Sequence, residues 1–161
     1  MPYQVAVCGP RDSSDADVAA ARRVGELLAD NDAVILCGGG TGVMAAVAAG
    51  GRSHNGLVIG VRPGADRDGA SPDLDAVLVT NMGEARNAIL VWSADAVIVI
   101  GGSWGTLSEL ALAKRRGGVP VICLGGWQIL DADGHPVPGL EVADTPEHAV
   151  ELALQRRTRS A

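Results

Sequence analysis

The stretch Ile100-Gly-Gly-Ser-Trp-Gly-Thr-Leu-Ser-Glu109 joins an apolar strand to a helix through a turn rich in glycine. Residues 94–100 before the turn are almost continuously apolar, which is typical of a strand buried on both faces of a parallel sheet. Gly101 and Gly102 allow the backbone to turn sharply and to approach a ligand closely. The free N–H groups of the helix's first turn would point back over the strand ends. The stretch therefore predicts an anion site with a carboxylate, Glu109, one helical turn away.

The composition limits the class of protein and the kind of partner. A chain of 161 residues, 47% of them hydrophobic, fits one globular domain with a sizeable core. Thirteen basic and nineteen acidic side chains give a net charge of −6, which argues against nucleic acid or an anionic membrane as the main partner. A phosphate site would then depend on local backbone donors. No targeting segment or membrane-length apolar run is seen, so we expect a cytoplasmic protein without a membrane partner.

The three cysteines and one loop histidine are the residues that could suggest a metal. Cys8, Cys37 and Cys123 each lie near the end of a predicted strand, without the spacing of metal ligands. We expect them to be small buried hydrophobic residues in a reducing compartment. His135 lies in the turn-rich segment 131–139, where a solvated histidine is the simpler interpretation. The sequence therefore predicts no metal site.

Apolar strands alternate with helical patterns along the chain, which predicts an α/β fold and one domain over residues 1–161. Six strands are predicted, at residues 3–8, 33–37, 57–61, 76–79, 96–100 and 119–124. Five helices are predicted, at residues 16–30, 42–49, 82–92, 106–116 and 146–157. Right-handed crossovers would give one parallel sheet with helices on both faces, and ligands in such sheets lie beyond the C-terminal strand ends. Four loops lie there, at residues 9–14, 38–42, 80–83 and 101–105.

The second of these loops admits another interpretation. It fits Gly40-x-Gly42-x-x-Ala45, a variant of the dinucleotide fingerprint that begins a helix after a strand. However, that pattern belongs on the first strand of its unit, and the next strand ends in Arg62 where a ribose-binding acid is expected. A dinucleotide-dependent oxidoreductase is therefore the weaker alternative. A P-loop ATPase is disfavoured because the sequence lacks Gly-x-x-x-x-Gly-Lys-Ser/Thr.

Two short patterns resemble helix caps. Thr106 and Glu109 form the capping box Thr-x-x-Glu, so Glu109 is either a structural cap or a carboxylate available for catalysis. Asn81 and Glu84 have a similar pattern, and we interpret Glu84 as structural. Trp104, beside the first pattern, either stacks on a ligand or covers a core edge, and we favour the cover.

Arg86 lies in the helix predicted at residues 82–92, which is apolar nearly all round. Such a helix would be buried, in part at a subunit interface. A buried Arg86 needs a partner anion, for which Glu109 and a ligand phosphate are the candidates. The alternative is that Arg86 lies on a narrow exposed stripe.

Three motifs in this order resemble one known family. The pattern Pro-Gly-Gly-x-Gly-Thr-x-x-Glu appears as Gly101-Gly-Ser-Trp-Gly-Thr-Leu-Ser-Glu109, and an earlier glycine loop appears as Gly38-Gly-Gly-Thr-Gly-Val-Met44. A methionine-led Arg-Lys helix appears as Met82-Gly-Glu-Ala-Arg-Asn87. From the first strand to about Leu124 the chain resembles the LOG-type family, also labelled lysine decarboxylase-like, within the Rossmann-like nucleotide-binding proteins.

Active enzymes of this family are phosphoribohydrolases, which cut the N-glycosidic bond of nucleoside 5′-monophosphates. The resemblance implies that Arg86 and Glu109 are the catalytic pair, that no cofactor or metal is required, and that the protein is a homo-oligomer, at least a dimer. Nothing suggests a pyridoxal phosphate site, so the decarboxylase label has no support. The resemblance also implies that a phosphorylated small molecule is held by Gly9, Gly38, Gly39, Gly40, Thr41, Gly42, Met82, Gly101, Gly102, Ser103, Trp104, Gly105 and Thr106.

The chain departs from the family pattern at three positions. Asn87 replaces the lysine of the Arg-Lys pair, Gly101 replaces the opening proline, and Ser103 replaces the second glycine of the signature. The loss of the lysine removes a positive charge next to the site. The chain also resembles the shorter branch that includes molybdenum cofactor carrier proteins, which bind a phosphorylated pterin cofactor and need no hydrolysis. Two functions therefore stay open, a LOG-like phosphoribohydrolase and a non-catalytic carrier of a phosphorylated cofactor.

Overall fold

The computed structural model describes residues 1–159, and within them seven parallel strands form one sheet. The strands are β1 (Gln4–Cys8), β2 (Val34–Cys37), β3 (Val58–Arg62), β4 (Ala76–Val79), β5 (Ala96–Ile100), β6 (Val121–Leu124) and β7 (Glu141–Ala143). The helices are α1 (Asp15–Asp30), α2 (Val43–Ser53), α3 (Arg86–Trp92), α4 (Trp104–Arg116) and α5 (Pro146–Arg159).

Helices cover both faces of the sheet, which confirms the predicted α/β architecture. Successive side chains of a strand point to opposite faces. Val5 and Val7 of β1 therefore pack in one core with α1, α2 and α5, whereas Ala6 and Cys8 pack in a second core with α3 and α4. The central strands are apolar at nearly every position because both of their faces are buried.

The direction of chain growth reverses between β1 and β5. The strand order is β4-β3-β2-β1-β5-β6-β7, so the chain builds outward from β1 on one side and from β5 on the other. The loops that follow two such strands leave in opposite directions and open a crevice at the C-terminal edge of the sheet. Gly9 follows β1 and Gly101 follows β5, so two of the predicted loops flank this crevice.

Several details differ from the sequence predictions. The helix predicted at residues 82–92 begins as a 3-10 turn, Gly83–Ala85, and becomes α-helical only at α3. Asn81 and Gly83 have φ values of 52° and 55°, in the left-handed region, so the residues before α3 do not continue the helix and Asn81 is not its cap. Strand β7 was not predicted, because its three residues are too few to show a period. Trp92 is 63% exposed, with the guanidinium of Arg116 over its ring, so this helix is not buried all round.

The three cysteines are free and buried, as predicted. Cys8 and Cys37 lie at the C-terminal ends of β1 and β2, and Cys123 lies within β6. They fill small spaces in the cores on the two faces of the sheet.

Helices α1 and α2 pack backbone to backbone through glycines. A Cβ atom on Gly50 would overlap the carbonyl oxygen of Arg22, and a Cβ atom on Gly25 would lie 2.7 Å from the amide nitrogen of Gly51. Because these neighbours are main-chain atoms, neither side can yield without moving a helix. Close packing of α1 on α2 therefore depends on the absence of side chains here.

We expect Gly50→Ala to lower the free energy of unfolding by up to about 2 kcal/mol. Overlap in a packed region costs about 1–3 kcal/mol, and the better helix propensity of alanine returns only about 1 kcal/mol. Urea unfolding at neutral pH measures the difference. Gly64→Ala is the matched control, because a Cβ atom there has no heavy atom within 4 Å. Equal unfolding midpoints for the two variants would contradict the packing argument.

Candidate functional site

A cavity of about 510 Å³ opens at the C-terminal ends of β1, β3 and β5. Its walls come from the loop after β1, the first turn of α2, the residue after β3, the segment that leads into α3, and α4. The lining residues are Gly9, Pro10, Arg11, Asp12, Met44, Pro63, Gly83, Glu84, Arg86, Asn87, Ser103, Gly105, Thr106 and Glu109. The cavity therefore brings together the two residues predicted as a catalytic pair, at the crevice where the strand order reverses.

Arg86 begins α3 and is only 9% exposed, so the exposed-stripe interpretation is wrong. Its Nη1 atom donates to the main-chain oxygen of Val61, 3.0 Å away. Its Nε atom is buried and has no hydrogen-bond partner among residues 1–159. Burial lowers the pKa of Arg86, and the charge of Glu109 only partly opposes this effect. The cavity wall thus contains a desolvated cation with an unused donor.

Glu109 lies within α4 and is 7% exposed. Burial raises its pKa from 4.5 to about 7, although the charge of Arg86 and a hydrogen bond from the Cys8 thiol lower it. Desolvation is the dominant cause, because a carboxylate loses more hydration than these two partners replace. Near neutral pH the carboxyl group is therefore present in both protonation states, as general acid–base chemistry requires.

The helix cap next to Glu109 differs from the prediction. Helix α4 begins at Trp104, two residues earlier than expected, and its N-cap is Ser103. The Ser103 hydroxyl accepts from the amide of Thr106 at 3.2 Å and lies 2.9 Å from the Thr106 hydroxyl. Thr106 is therefore a first-turn residue, and the capping interpretation of Glu109 is wrong. The carboxylate of Glu109 does not cap the N-terminus of α4 and is available to a ligand in the cavity.

The loop after β2 supports the arginines instead of lining the cavity. A Cβ atom on Gly38 would overlap Nη1 of Arg86, and Cβ atoms on Gly39 and Gly40 would lie 3.1 and 3.3 Å from the side chain of Arg62. These glycines therefore leave room for guanidinium groups. The sequence prediction located the loop correctly, but its contacts are with side chains of the protein.

The N-terminus of α2 is covered by the loop after β1. Gly42 has a φ of 63°, and a Cβ atom there would overlap the carbonyl oxygens of Pro10 and Arg11. The amide of Val43 donates to the oxygen of Pro10 at 3.1 Å and to the Ser13 hydroxyl at 3.2 Å. This first-turn donor is thus occupied by the protein and does not serve the pyrophosphate of a dinucleotide.

The remaining predicted residues divide into two groups. Gly9, Ser103, Gly105 and Thr106 line the cavity, whereas Thr41, Met82, Gly101, Gly102 and Trp104 do not. Cβ atoms on Gly101 and Gly102 would contact the side chains of Asp17 and Trp127, respectively.

Trp104 lies outside the cavity and does not cover a core edge. It is 79% exposed, with its ring 5.0 Å from that of Trp127 in an edge-to-face arrangement. The favoured interpretation of Trp104 as a cover is therefore wrong.

Sequence reasoning missed several residues of the wall. Arg11 and Asp12 follow the first strand, and their charge next to a glycine at a strand end is a signal that could have selected them. Glu84 was interpreted as structural, yet it lines the cavity. Arg62 does not line it: its Nη2 atom donates to the oxygen of Asp68 at 2.7 Å, and its Nε atom is buried without a partner in the described chain.

Comparison with known proteins agrees with this architecture. The family model described as the SLOG cluster4 family matches residues 2–150. An uncharacterized protein of Archaeoglobus fulgidus is 37% identical over 151 residues, which is 94% of each chain.

Two solved structures are similar over the full length of the chain. The molybdenum cofactor binding protein from the phototrophic bacterium Rippkaea orientalis has a TM-score of 0.86 and 31% identity, covering 100% of this chain and 99% of that one. The Moco carrier protein from Chlamydomonas reinhardtii has a TM-score of 0.84 and 26% identity, covering 100% of both. The resemblance to LOG-type proteins is thus confirmed: the chain belongs to the SLOG cluster4 family, whose members are LOG-like proteins with a Rossmann-like fold.

Proposed function

We propose that this protein binds and carries a phosphorylated small molecule of the molybdenum cofactor type, held in the cavity that contains Arg86 and Glu109. The observation that carries the proposal is the buried guanidinium of Arg86, whose Nε atom has no partner within residues 1–159. Two proteins that share the whole fold, at 31% and 26% identity, are described as a molybdenum cofactor binding protein and a Moco carrier protein.

The electrostatics of Arg86 favour an anionic ligand. A buried cation is costly unless an anion with good hydrogen-bond geometry pairs with it. Arg11 and Arg62 add positive potential, since both lower the pKa of Arg86 further. A ligand phosphate would neutralise this group of cations, and a guanidinium can bind two phosphate oxygens at once.

The first turn of α4 supplies further donors. Ser103, Gly105 and Thr106 line the cavity, and Gly105 has no side chain that would hinder close approach. The amide of Thr106 is satisfied by Ser103, but the amides of Trp104 and Gly105 precede the first intrahelical bond. We propose that the phosphate lies between this turn and Arg86, close to Gly9. Gly38, Gly39, Gly40 and Gly42 then act indirectly, by shaping the space for the arginines and the loop after β1.

A phosphoribohydrolase is the second candidate, and one specific observation favours it. Glu109 is a buried carboxyl group with a pKa of about 7 in the same cavity as Arg86. Such a group can stabilise an oxocarbenium-like ribose or activate water while the arginine orients the phosphate. Asn87 is the feature that favours the carrier, because the hydrolases have a lysine at this position in the motif and an amide supplies no charge.

Two measurements separate these functions. Native mass spectrometry of protein purified gently from its host should show a bound phosphorylated ligand. Elemental analysis of the same sample for molybdenum tests whether this ligand is of the molybdenum cofactor type. Incubation with AMP, GMP, CMP and UMP should release no free base from a carrier. Base release that stops in Glu109→Gln would instead establish the hydrolase. Protein that is free of ligand and of molybdenum would contradict the carrier.

We also propose that the protein is a cytoplasmic homo-oligomer, at least a dimer, that binds neither nucleic acid nor membrane. Exposed Trp92 at the end of α3 and exposed Leu78 and Val79 on the edge strand β4 provide apolar surface for a second copy. The net charge of −6 disfavours nucleic acid. Within residues 1–159, no helix combines the length and the apolar character needed to cross a membrane.

A further inference from the structure

The cavity contains two carboxylates that a phosphate does not use. Asp12 lines it from the loop after β1, and Glu84 lines it from the 3-10 turn before α3. Both residues are exposed, and neither takes part in an ion pair within residues 1–159. They come from segments far apart in the chain and converge on one cavity.

The charges of the wall do not match a ligand that is only an anion. Two arginines, Arg11 and Arg86, face three carboxyl groups, those of Asp12, Glu84 and Glu109. A site for phosphate alone would be expected to be clearly positive, because unpaired carboxylates repel the ligand. Arg86 and Glu109 are buried, whereas Arg11, Asp12 and Glu84 are exposed. The exposed part of the wall thus has two carboxylates and one arginine, and is acidic by one charge.

Asn87 provides an independent indication of a hydrogen-bond donor on the ligand. Its side chain lines the cavity and is only 5% exposed, and its amide oxygen has no partner within the described chain. A buried acceptor without a donor costs about 1–3 kcal/mol. A ligand N–H group beside the anionic group would satisfy it.

We infer that the cavity selects a ligand that has, besides its phosphate, a ring edge with adjacent N–H donors. A 2-amino-4-oxopyrimidine ring has such an edge. Asp12 and Glu84 are the residues that recognise it. Guanine and pterin rings share this edge, in which a ring N–H and an amino group lie side by side. A carboxylate can accept both in parallel, as it does from an arginine. Adenine places an acceptor nitrogen next to its amino group and would face the carboxylates with a lone pair. The inference rests on the proposed function, since it assumes that the phosphate lies at Arg86.

Calorimetric titration with four probes tests the inference. GMP, IMP and AMP share ribose and phosphate and differ in the base edge, and ribose 5-phosphate lacks the base. We expect GMP to bind at least 10-fold more tightly than IMP, which lacks the 2-amino group. We expect the same preference for GMP over AMP. In the double variant Asp12→Asn, Glu84→Gln the three nucleotides should bind alike, and ribose 5-phosphate should bind as well as before or better. The double variant Glu141→Gln, Glu151→Gln removes two exposed carboxylates outside the cavity and is the control for the same change in net charge.

The outcomes distinguish this inference from the proposed function. Equal affinity for GMP and AMP in the wild type, or a preference that survives in the double variant, overturns the recognition by Asp12 and Glu84. Binding of ribose 5-phosphate without any preference among bases overturns only this inference. If ribose 5-phosphate and all three nucleotides fail to bind, the proposed phosphate site fails, and the inference fails with it.

Discussion

Replacement of Arg86 by methionine should lower the affinity for ribose 5-phosphate at least about 100-fold, which corresponds to about 2.7 kcal/mol of binding free energy. The guanidinium is 9% exposed and its Nε atom lacks a partner within residues 1–159, so a phosphate there would form charge-assisted hydrogen bonds away from water. Methionine keeps an unbranched side chain that matches arginine as far as the Nε position, and it removes the charge and all of the donors. Calorimetric titration measures the loss.

The same substitution should change the free energy of unfolding of the ligand-free protein by no more than about 1 kcal/mol. It removes one hydrogen bond, from Nη1 to the oxygen of Val61, but it also removes a desolvated cation, and the two effects oppose each other. Arg67→Met is the matched control, because Arg67 is exposed on a loop and the net charge changes equally. Arg86→Lys should bind weakly, since an ammonium cannot bind two phosphate oxygens in the planar geometry of a guanidinium. Wild-type affinity in Arg86→Met would remove the basis of the phosphate site.

Replacement of Glu109 by glutamine should stabilise the protein at alkaline pH. The folded protein raises the pKa of this carboxyl group from 4.5 to about 7, so the unfolded chain loses the proton at lower pH than the folded one. The contribution of Glu109 to the free energy of unfolding is fully present below pH 4.5, falls as the pH rises, and is lost above about pH 7. At pH 8 the charged Glu109 costs on the order of 3 kcal/mol, from 1.36 kcal/mol per pKa unit. An uncharged glutamine does not have this cost.

Urea unfolding of the wild type and Glu109→Gln at pH 5 and pH 8 measures this effect. The two proteins should differ little at pH 5, and the variant should be more stable by up to about 3 kcal/mol at pH 8. Glu151→Gln is the control, because that carboxylate is exposed on α5 and should leave the pH dependence unchanged. If Glu109→Gln and the wild type lose stability in parallel between these pH values, then Glu109 does not have a raised pKa.

The fold was largely predictable because its signals are local. β4 and β5 were predicted with their observed bounds, since short apolar runs bounded by turn residues are typical of strands. Errors occurred where a local pattern competes with packing. Helix α2 continues to Ser53, past the predicted end at residue 49, because Gly50 and Gly51 allow contact with α1 and with the sheet. The left-handed residues before α3 leave no periodic signal at all.

The candidate site was predictable only in part. Arg86 and Glu109 were selected from the sequence, and the structure brings them to one cavity. The capping box was misread because Ser103, which replaces a glycine of the family pattern, caps the helix in place of Thr106. Asp12 was not selected although it lies in a loop predicted at this edge, and Glu84 was not selected because its pattern with Asn81 was interpreted as structural.

By itself, the sequence determined the parallel α/β sheet, the position of the glycine loops at its C-terminal edge, and the family. These properties depend on hydrophobic period and on residues adjacent in the chain. Only the tertiary structure decided that Arg86 is buried with an unused donor, that the pKa of Glu109 lies near 7, and that Gly38 supports an arginine. Desolvation and electrostatic interaction depend on distances in space, and folding sets those distances between segments that are remote along the chain.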